Sequence, residues 1–240
     1  MKIKIAKYLA DCGIASRRKS EEYILQGLVK VNGKVCKNVA ERVDPSEDSI
    51  KYRNRMLTST APKLYYLINK PRNVISTCAD EHGRKTVLEL LPKLKSTVRL
   101  FPVGRLDYDS NGLMLLTNDG ELANKLMHPT YKFDKVYEVK LFKKDTPDKI
   151  KEKLEKGVKL DDGFAKAEAV KIAKVTPQYI WLKITLKEGR NHIIKRLCDA
   201  FGYKSLRIKR VSMGPLSVKG ITSGGYRTLF KKEKEVLGIL

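Results

Sequence analysis

Residues 179–189, YIWLKITLKEG, put Ile180, Leu182, Ile184 and Leu186 at every second position. Successive side chains of a strand point to opposite faces, so these four share one face. Such a strand holds its register only where that face meets a core. Directly afterwards, NHIIKRLCDAFG places Ile193, Ile194, Leu197, Cys198 and Phe201 on one side of a helix. A one-faced strand feeding an amphipathic helix commits the chain to helices layered on a sheet. Hydrophobic residues make up 42% of the 240, enough to fill such a core.

The same reading extends over the chain. Residues 63–71 (KLYYLINKP) read as a strand ended by proline, and residues 86–92 (TVLELLP) as a short helix stopped at Pro92. GLMLLTND reads as a buried strand whose turn is Asn118-Asp119-Gly120. GELANKLMHP follows as a helix, with Leu122 and Leu126 four apart and Pro129 at its end. KVYEVKL, residues 135–141, alternates as a strand does. TPDKIKEKLEKG is a helix in which Thr146 caps, Pro147 takes the first position and Gly157 terminates. Strands outnumber a simple βαβ repeat, and turns separate several of them directly. A mostly antiparallel α+β domain is expected.

A smaller module precedes it. Ile5, Ala6, Leu9 and Ala10 recur at helical spacing before Gly13, and Ser16 stands as the N-cap of a second helix stopping at Gly27. Val29, Val31 and Val35 then alternate around Asn32-Gly33, the strongest short-range hairpin signal. Residues 53–63 (RNRMLTSTAPK) are polar, aperiodic and end at a proline, so they read as a linker. The expected division is 1–52, a linker at 53–63, and 64–240.

Charge narrows the partner. Lys and Arg total 50 against 27 Asp and Glu, a formal +23. Such an excess favours nucleic acid or an anionic membrane. No apolar stretch approaches the ~20 residues of a membrane span. MKIKIAKYLADCG lacks the apolar core and cleavage site of a secretory signal, so a cytoplasmic chain is expected. Cys12, Cys36, Cys78 and Cys198 form no CxxC pair, and His82, His128 and His192 no tight ligand spacing. Neither a disulfide framework nor a metal is expected. There is no Walker loop and no GxGxxG after a strand, so no cofactor is expected either.

Against this positive charge, residues 104–120 (GRLDYDSNGLMLLTNDG) hold three acids, Asp107, Asp109 and Asp119. Asp is common in turns, which accounts for any one of them. Asp107, however, follows apolar Leu106 and precedes a polar bend, a place at the mouth of a sheet. A carboxylate beside RNA needs a cation to stay charged, and Arg190, at a strand-to-helix corner, is a candidate. The commonest role of such an Arg is a phosphate contact. Tyr137 adds an aromatic, whose commonest role is core packing. Asp, Arg and Tyr converging would suit chemistry on a flipped base.

The motifs themselves carry a resemblance. YLADCGIASRRKSEEYILQGLVKVNGKV is similar to the S-four-type RNA-binding domain, over Lys4 to about Val43. FPVGRLDYDSNGLMLLTNDGELANKLMHP, KVYEVKL, EGRNHIIKRLCDAFGY and LRIKRVSMGPLSV, in that order, resemble the RsuA-type family of ribosomal RNA pseudouridine synthases. That resemblance implies Asp107 as nucleophile, Tyr137 stacked on the target base, and Arg190 paired with Asp107. It implies Arg105 filling the gap left by the flipped uridine and Leu216 lining the uracil pocket. Arg17, Arg18, Lys19 and Lys34 of the front module are expected on RNA. Three departures from the family pattern, Ser110 for Thr, Lys195 for Arg and the pair His192-Ile193, are expected to alter surroundings rather than these groups.

The reaction implied is isomerisation of uridine to pseudouridine in ribosomal RNA, by a monomer acting on free RNA or a pre-ribosomal particle. GELANKLMHP and the DYDSNGL bend resemble the large-subunit branch more than the small-subunit one. Charge and the front module alone would equally fit a non-catalytic ribosome-assembly factor. A metal-dependent nuclease would need the acids to cluster. Whether Asp107 attacks C1′ or C6, or removes the 2′ proton, is open at the level of sequence.

Overall fold

The computed structural model describes residues 1–58, 61–92 and 98–240. Two compact units divide the chain, Met1–Leu64 carrying the first and most of the chain from Tyr65 to Leu240 the second.

The front unit opens with β1 (Ile3–Lys4), which pairs antiparallel with β4 (Arg42–Val43). Between them lie α1 (Ile5–Asp11), α2 (Arg17–Leu25), β2 (Val29–Val31) and β3 (Lys34–Cys36). Ser16 caps α2, its Oγ accepting from Lys19 N at 3.2 Å. Asn32 and Gly33 both take positive φ, 49° and 81°, the backbone a tight β2–β3 hairpin requires. Ile5, Leu9, Ile24, Val29, Val43 and Ile50 are wholly buried and join these pieces. Each such side chain contributes about 1.5–3 kcal/mol. The linker expected at 53–63 starts inside this unit instead. Arg55–Met56 is a strand, β6, paired with β5 (Ile50–Tyr52) through positive-φ residues Arg53 and Asn54. Residues 59 and 60 of that stretch lie outside the described residues.

The second unit is built on a nine-stranded sheet. Its strands are β7 (Tyr65–Lys70), β8 (Phe101–Pro102), β9 (Asn111–Thr117) and β10 (Lys135–Phe142), then β13 (Ala169–Val175), β14 (Tyr179–Leu186), β15 (Ser205–Met213), β16 (Leu216–Ser217) and β17 (Tyr226–Thr228). The order across the sheet is β13-β14-β10-β15-β9-β7-β17, with β16 on β15 and β8 on β9. Every ladder is antiparallel except β9–β15. A small hairpin, β11 (Val158–Leu160) with β12 (Gly163–Ala165), stands apart from it.

Ile180, Leu182, Ile184 and Leu186 are fully buried, as their alternation demands. They share a core with α4 (Pro147–Lys156), through Ile150 and Leu154, and with α5 (Ile193–Ala200), through Ile194 and Leu197. A second apolar cluster joins Leu113 and Leu115 of β9 to Leu122 and Leu126 of α3 (Gly120–Met127) and Leu237 of α6 (Lys231–Leu237). The TVLELLP segment winds as a single 3-10 turn, Val87–Leu90, whose cap Thr86 exchanges hydrogen bonds with Glu89. Thr146 does sit at the N-cap of α4, but its hydroxyl makes no capping bond.

The one parallel ladder brings β9 and β15 very close. Gly112, at φ 113°, stands opposite Arg210, and a β-carbon there would come within 2.6 Å of Arg210 N. Only glycine accepts both that φ and that contact. Gly112→Ala is therefore expected to lower stability by more than about 2 kcal/mol. Urea unfolding checks this; a change inside about 0.5 kcal/mol, the range of a neutral surface substitution, would contradict it.

Candidate active site

A cleft of about 620 Å³ opens in the second unit. Its floor is two strands: Lys135 and Tyr137 on β10, Ile208 and Arg210 on β15. Tyr137 lies directly across the ladder from Arg210. Residues 104–107 and Ser110 form one wall, and residues 187–195, leading into α5, the other. Leu106, Ile193, Ile194 and Ile208 make part of the lining apolar.

Asp107 stands in the loop between β8 and β9, and that loop is held from both sides. Ser110 N donates to Asp107 O at 3.1 Å. Ser76 Oγ donates to Leu106 O at 2.7 Å and accepts from Leu106 N at 3.1 Å. Asn73 N donates to Tyr108 O at 2.8 Å. The segment carrying Asn73 and Ser76 is itself fastened by Lys70 at the end of β7. That fully buried ammonium donates to Val74 O at 2.6 Å and Pro71 O at 3.0 Å. Burial drives the Lys70 ammonium down to about 8, while the charges of Asp107 and Asp109 favour its protonated form. Nothing but a lysine closing an apolar strand before a proline announces it in the sequence.

The partners of Asp107 differ from expectation. Lys195 Nζ lies 3.3 Å from Asp107 Oδ2, and His192 Nε2 lies 3.3 Å from Oδ1. Both come from the first turn of α5 and the residue before it. His192 holds φ 50°, a left-handed backbone that costs a non-glycine residue about 1–3 kcal/mol and often marks a functional site. Lys195 also donates to both oxygens of Asp109, at 2.7 and 2.9 Å. Burial opposes the charge on Lys195, but Asp109 and Asp107 outweigh it and raise its ammonium above the ordinary range. The Lys195 hydrogen bond in turn lowers the Asp109 carboxyl. Asp109 is therefore no idle turn residue; it anchors the cation that Asp107 uses. The residues expected only to modify surroundings are the ones that hold the nucleophile candidate.

Arg190 lines the cleft but does not reach Asp107 in this arrangement. Its guanidinium pairs with Glu188, donates to Asp162 Oδ1 at 2.7 Å and to Phe164 O at 2.7 Å. The Glu188 hydrogen bond raises Arg190 above its ordinary value. Arg196 pairs with Asp161 and Asp162 and pulls the Asp162 carboxyl down to about 2. Together the two arginines fasten the β11–β12 hairpin to the start of α5. Five acceptor atoms, on Glu188, Asp162 and Phe164, already converge on Arg190, which leaves it little to offer Asp107. Leu216 is not among the residues lining the cleft. It is fully buried in the apolar cluster with Leu113 and Leu122, because pairing with Met213 across the β15–β16 turn points it there and not into the cleft.

Arg105 is exposed at the cleft's edge, and Tyr137 is 6% exposed within it. Ser110 is buried at 2%. Arg17, Arg18 and Lys19 on α2 and Lys34 on β3 are all exposed on the front unit. Sequence reasoning missed Lys135 and Arg210, two buried cations on the floor. Among the described residues, no three metal-ligating side chains cluster, and no helix is long and apolar enough to cross a membrane.

Comparison with known proteins now places this geometry. Residues 64–200 match the model of the RNA pseudouridylate synthase family, and residues 3–49 match the S4 domain. Ribosomal large subunit pseudouridine synthase B of Bacillus subtilis is 40% identical over 240 residues, covering 99% of this chain and 96% of that protein. A protein of Aquifex aeolicus named as an uncharacterized RNA pseudouridine synthase is 40% identical over 234 residues, 97% of this chain and 92% of its own. A solved pseudouridylate synthase superimposes with a TM-score of 0.66 at 26% identity, covering 99% of each chain. The chain belongs to the RNA pseudouridylate synthase family and begins with an S4 domain.

Proposed function

We propose that the protein isomerises a uridine of large-subunit ribosomal RNA to pseudouridine, with Asp107 as the reacting carboxylate. The observation that carries the reading is the Asp107–Lys195 pair at the mouth of a cleft floored by Tyr137. The B. subtilis relative, named for the large subunit, supports the choice of RNA. Small-subunit RNA is the alternative.

The target nucleotide leaves its stack and enters the cleft, where the Tyr137 ring packs against the base. Arg105, at the edge, occupies the space vacated in the RNA. The N1–C1′ bond breaks, the uracil turns, C5 bonds to C1′, C5 gives up its proton and N1 takes one. No atom is gained or lost. Hydrolytic glycosidases use two carboxylates, the second of which can activate water. In this cleft the second acid, Glu188, is engaged by Arg190, and Asp109 by Lys195. Asp107, held by Lys195 and His192 on the cleft wall, is the acid that meets the sugar, and the intermediate persists long enough to rejoin. Lys195 holds the Asp107 carboxylate aimed, as charge-assisted hydrogen bonds do. His192 contributes the second contact. The front unit's Arg17, Arg18, Lys19 and Lys34 engage the RNA backbone, an interaction that weakens with salt. The protein acts as a cytoplasmic monomer on free RNA or a pre-ribosomal particle.

Asp107→Asn is expected to lower kcat by more than about 10⁴-fold while RNA affinity is retained, measured by tritium release from uridine labelled at C5. Asp109→Asn should cost about tenfold, since it loosens Lys195 without touching the reaction; equal losses for the two would contradict the assignment. Lys195→Met should reduce kcat about 100-fold and Lys195→Arg restore most of it, whereas a silent Lys195→Met would show that the pair does not matter. Pseudouridine mapping in a strain lacking the gene should show one site lost from large-subunit RNA; loss confined to small-subunit RNA would select the alternative.

A further inference from the structure

We propose that Lys135 and Arg210 form a cationic floor that receives the detached uracil as its anion. The proposal rests on the pseudouridine synthase reading above and deepens it.

Lys135 is 6% exposed and Arg210 3%, yet both line the cleft. Arg210 Nε donates to Leu113 O at 2.8 Å, while its Nη2 is buried without a partner. Among the described residues, the Lys135 ammonium makes no ion pair. The nearby carboxylate, Glu188, is already bound by Arg190. Burial first, and then the neighbouring Arg210 charge, push the Lys135 ammonium below its ordinary value. Two like charges buried side by side, with a free donor, are costly in any fold. Stability alone would replace them with apolar residues. The arrangement makes physical sense if an anion completes it during the reaction.

The chemistry produces such an anion at this place. When N1–C1′ breaks heterolytically, the electron pair stays on N1 and spreads to O2 and O4. C1′ is left electron-poor and is taken up on the Asp107 side, by bond formation or by loss of the 2′ proton. Tyr137, directly across the ladder from Arg210 and two residues from Lys135 on β10, supports the ring. The Lys135 ammonium is a compact charge on a flexible stem, so it can follow the ring as its charge turns. Arg210, fixed by Leu113, presents one oriented donor. C5 then bonds to C1′ as the Asp107–C1′ bond breaks or Asp107 returns the 2′ proton, the C5 proton leaves, N1 is protonated, and the floor returns to its starting state. Donors placed where charge develops are worth about 10²–10³ in rate.

The test compares two RNA fragments, one with uridine and one with 5-fluorouridine at the target, whose fluorine stabilises the departing anion. Single-turnover loss of the target nucleoside is read after nuclease digestion. Lys135→Met is expected to slow the uridine RNA by about 100-fold and the fluorouridine RNA by no more than about tenfold, with RNA affinity unchanged. Lys135→Arg should recover most of the loss. Arg210→Lys provides a second variant; if it fails to fold, the Lys135 pair still decides. Equal slowing of the two RNAs would overturn the proposal. So would a weakened RNA affinity with kcat intact, which would mark the floor as a phosphate contact. A wild-type protein inactive on every ribosomal RNA fragment would instead overturn the function on which the proposal stands.

Discussion

The geometry of the cleft depends on one ion pair that joins two distant parts of the chain. Asp107 sits on the loop into β9, and Lys195 on the first turn of α5. Neither carboxylate nor ammonium could stay placed alone beside a polyanion. Lys195 bridges Asp107 and Asp109 on one wall, and Arg190 and Arg196 fix the other wall to the β11–β12 hairpin. Beneath them the parallel β9–β15 contact, possible because residue 112 is glycine, brings the Asp107 loop against Arg210 and Tyr137. Lys70, buried at the end of β7, extends the same support by holding the backbone that holds Leu106.

Much of this architecture is legible in the sequence because it rests on periodicity. Alternating Ile180, Leu182, Ile184 and Leu186 had one solution, a face against a core. Asn32-Gly33 and Ser16 announce a hairpin and a cap by their own backbone preferences. Among the strands that escaped notice are two with many charged residues. β13, at a sheet edge, places Lys171 and Lys174 three apart across a bulge and so shows no two-residue period, and long β15 mixes arginine and lysine with buried positions. Their partners are remote in sequence, so no local signal marks them.

The site was legible in part. GRLD, KVY and EGR locate the three segments that converge on the cleft. Which side chain on the EGRNHIIK segment meets Asp107 is a different question. It depends on where the segment stops being strand and becomes helix. Because α5 begins at Ile193, Lys195 and His192 face the loop, while Arg190 remains behind and turns to Glu188 and Asp162. Leu216 fell to the other face by the same kind of one-residue geometry. Arg210 and Lys135 looked like two more basic residues among 50. Only burial without a counter-charge sets them apart.

The division of labour follows from charge. A chain carrying +23 draws RNA, while the cleft holds two carboxylates, Glu188 bound by Arg190 and Asp107 held by Lys195 and His192. The most direct measurement is a structure of the Asp107→Asn protein with a large-subunit RNA fragment containing the target. The account predicts a flipped uridine against Tyr137, with C1′ or C6 within about 3.5 Å of the residue 107 side chain. A target base still stacked in the RNA, or a sugar seated against Glu188 or Asp162, would contradict it.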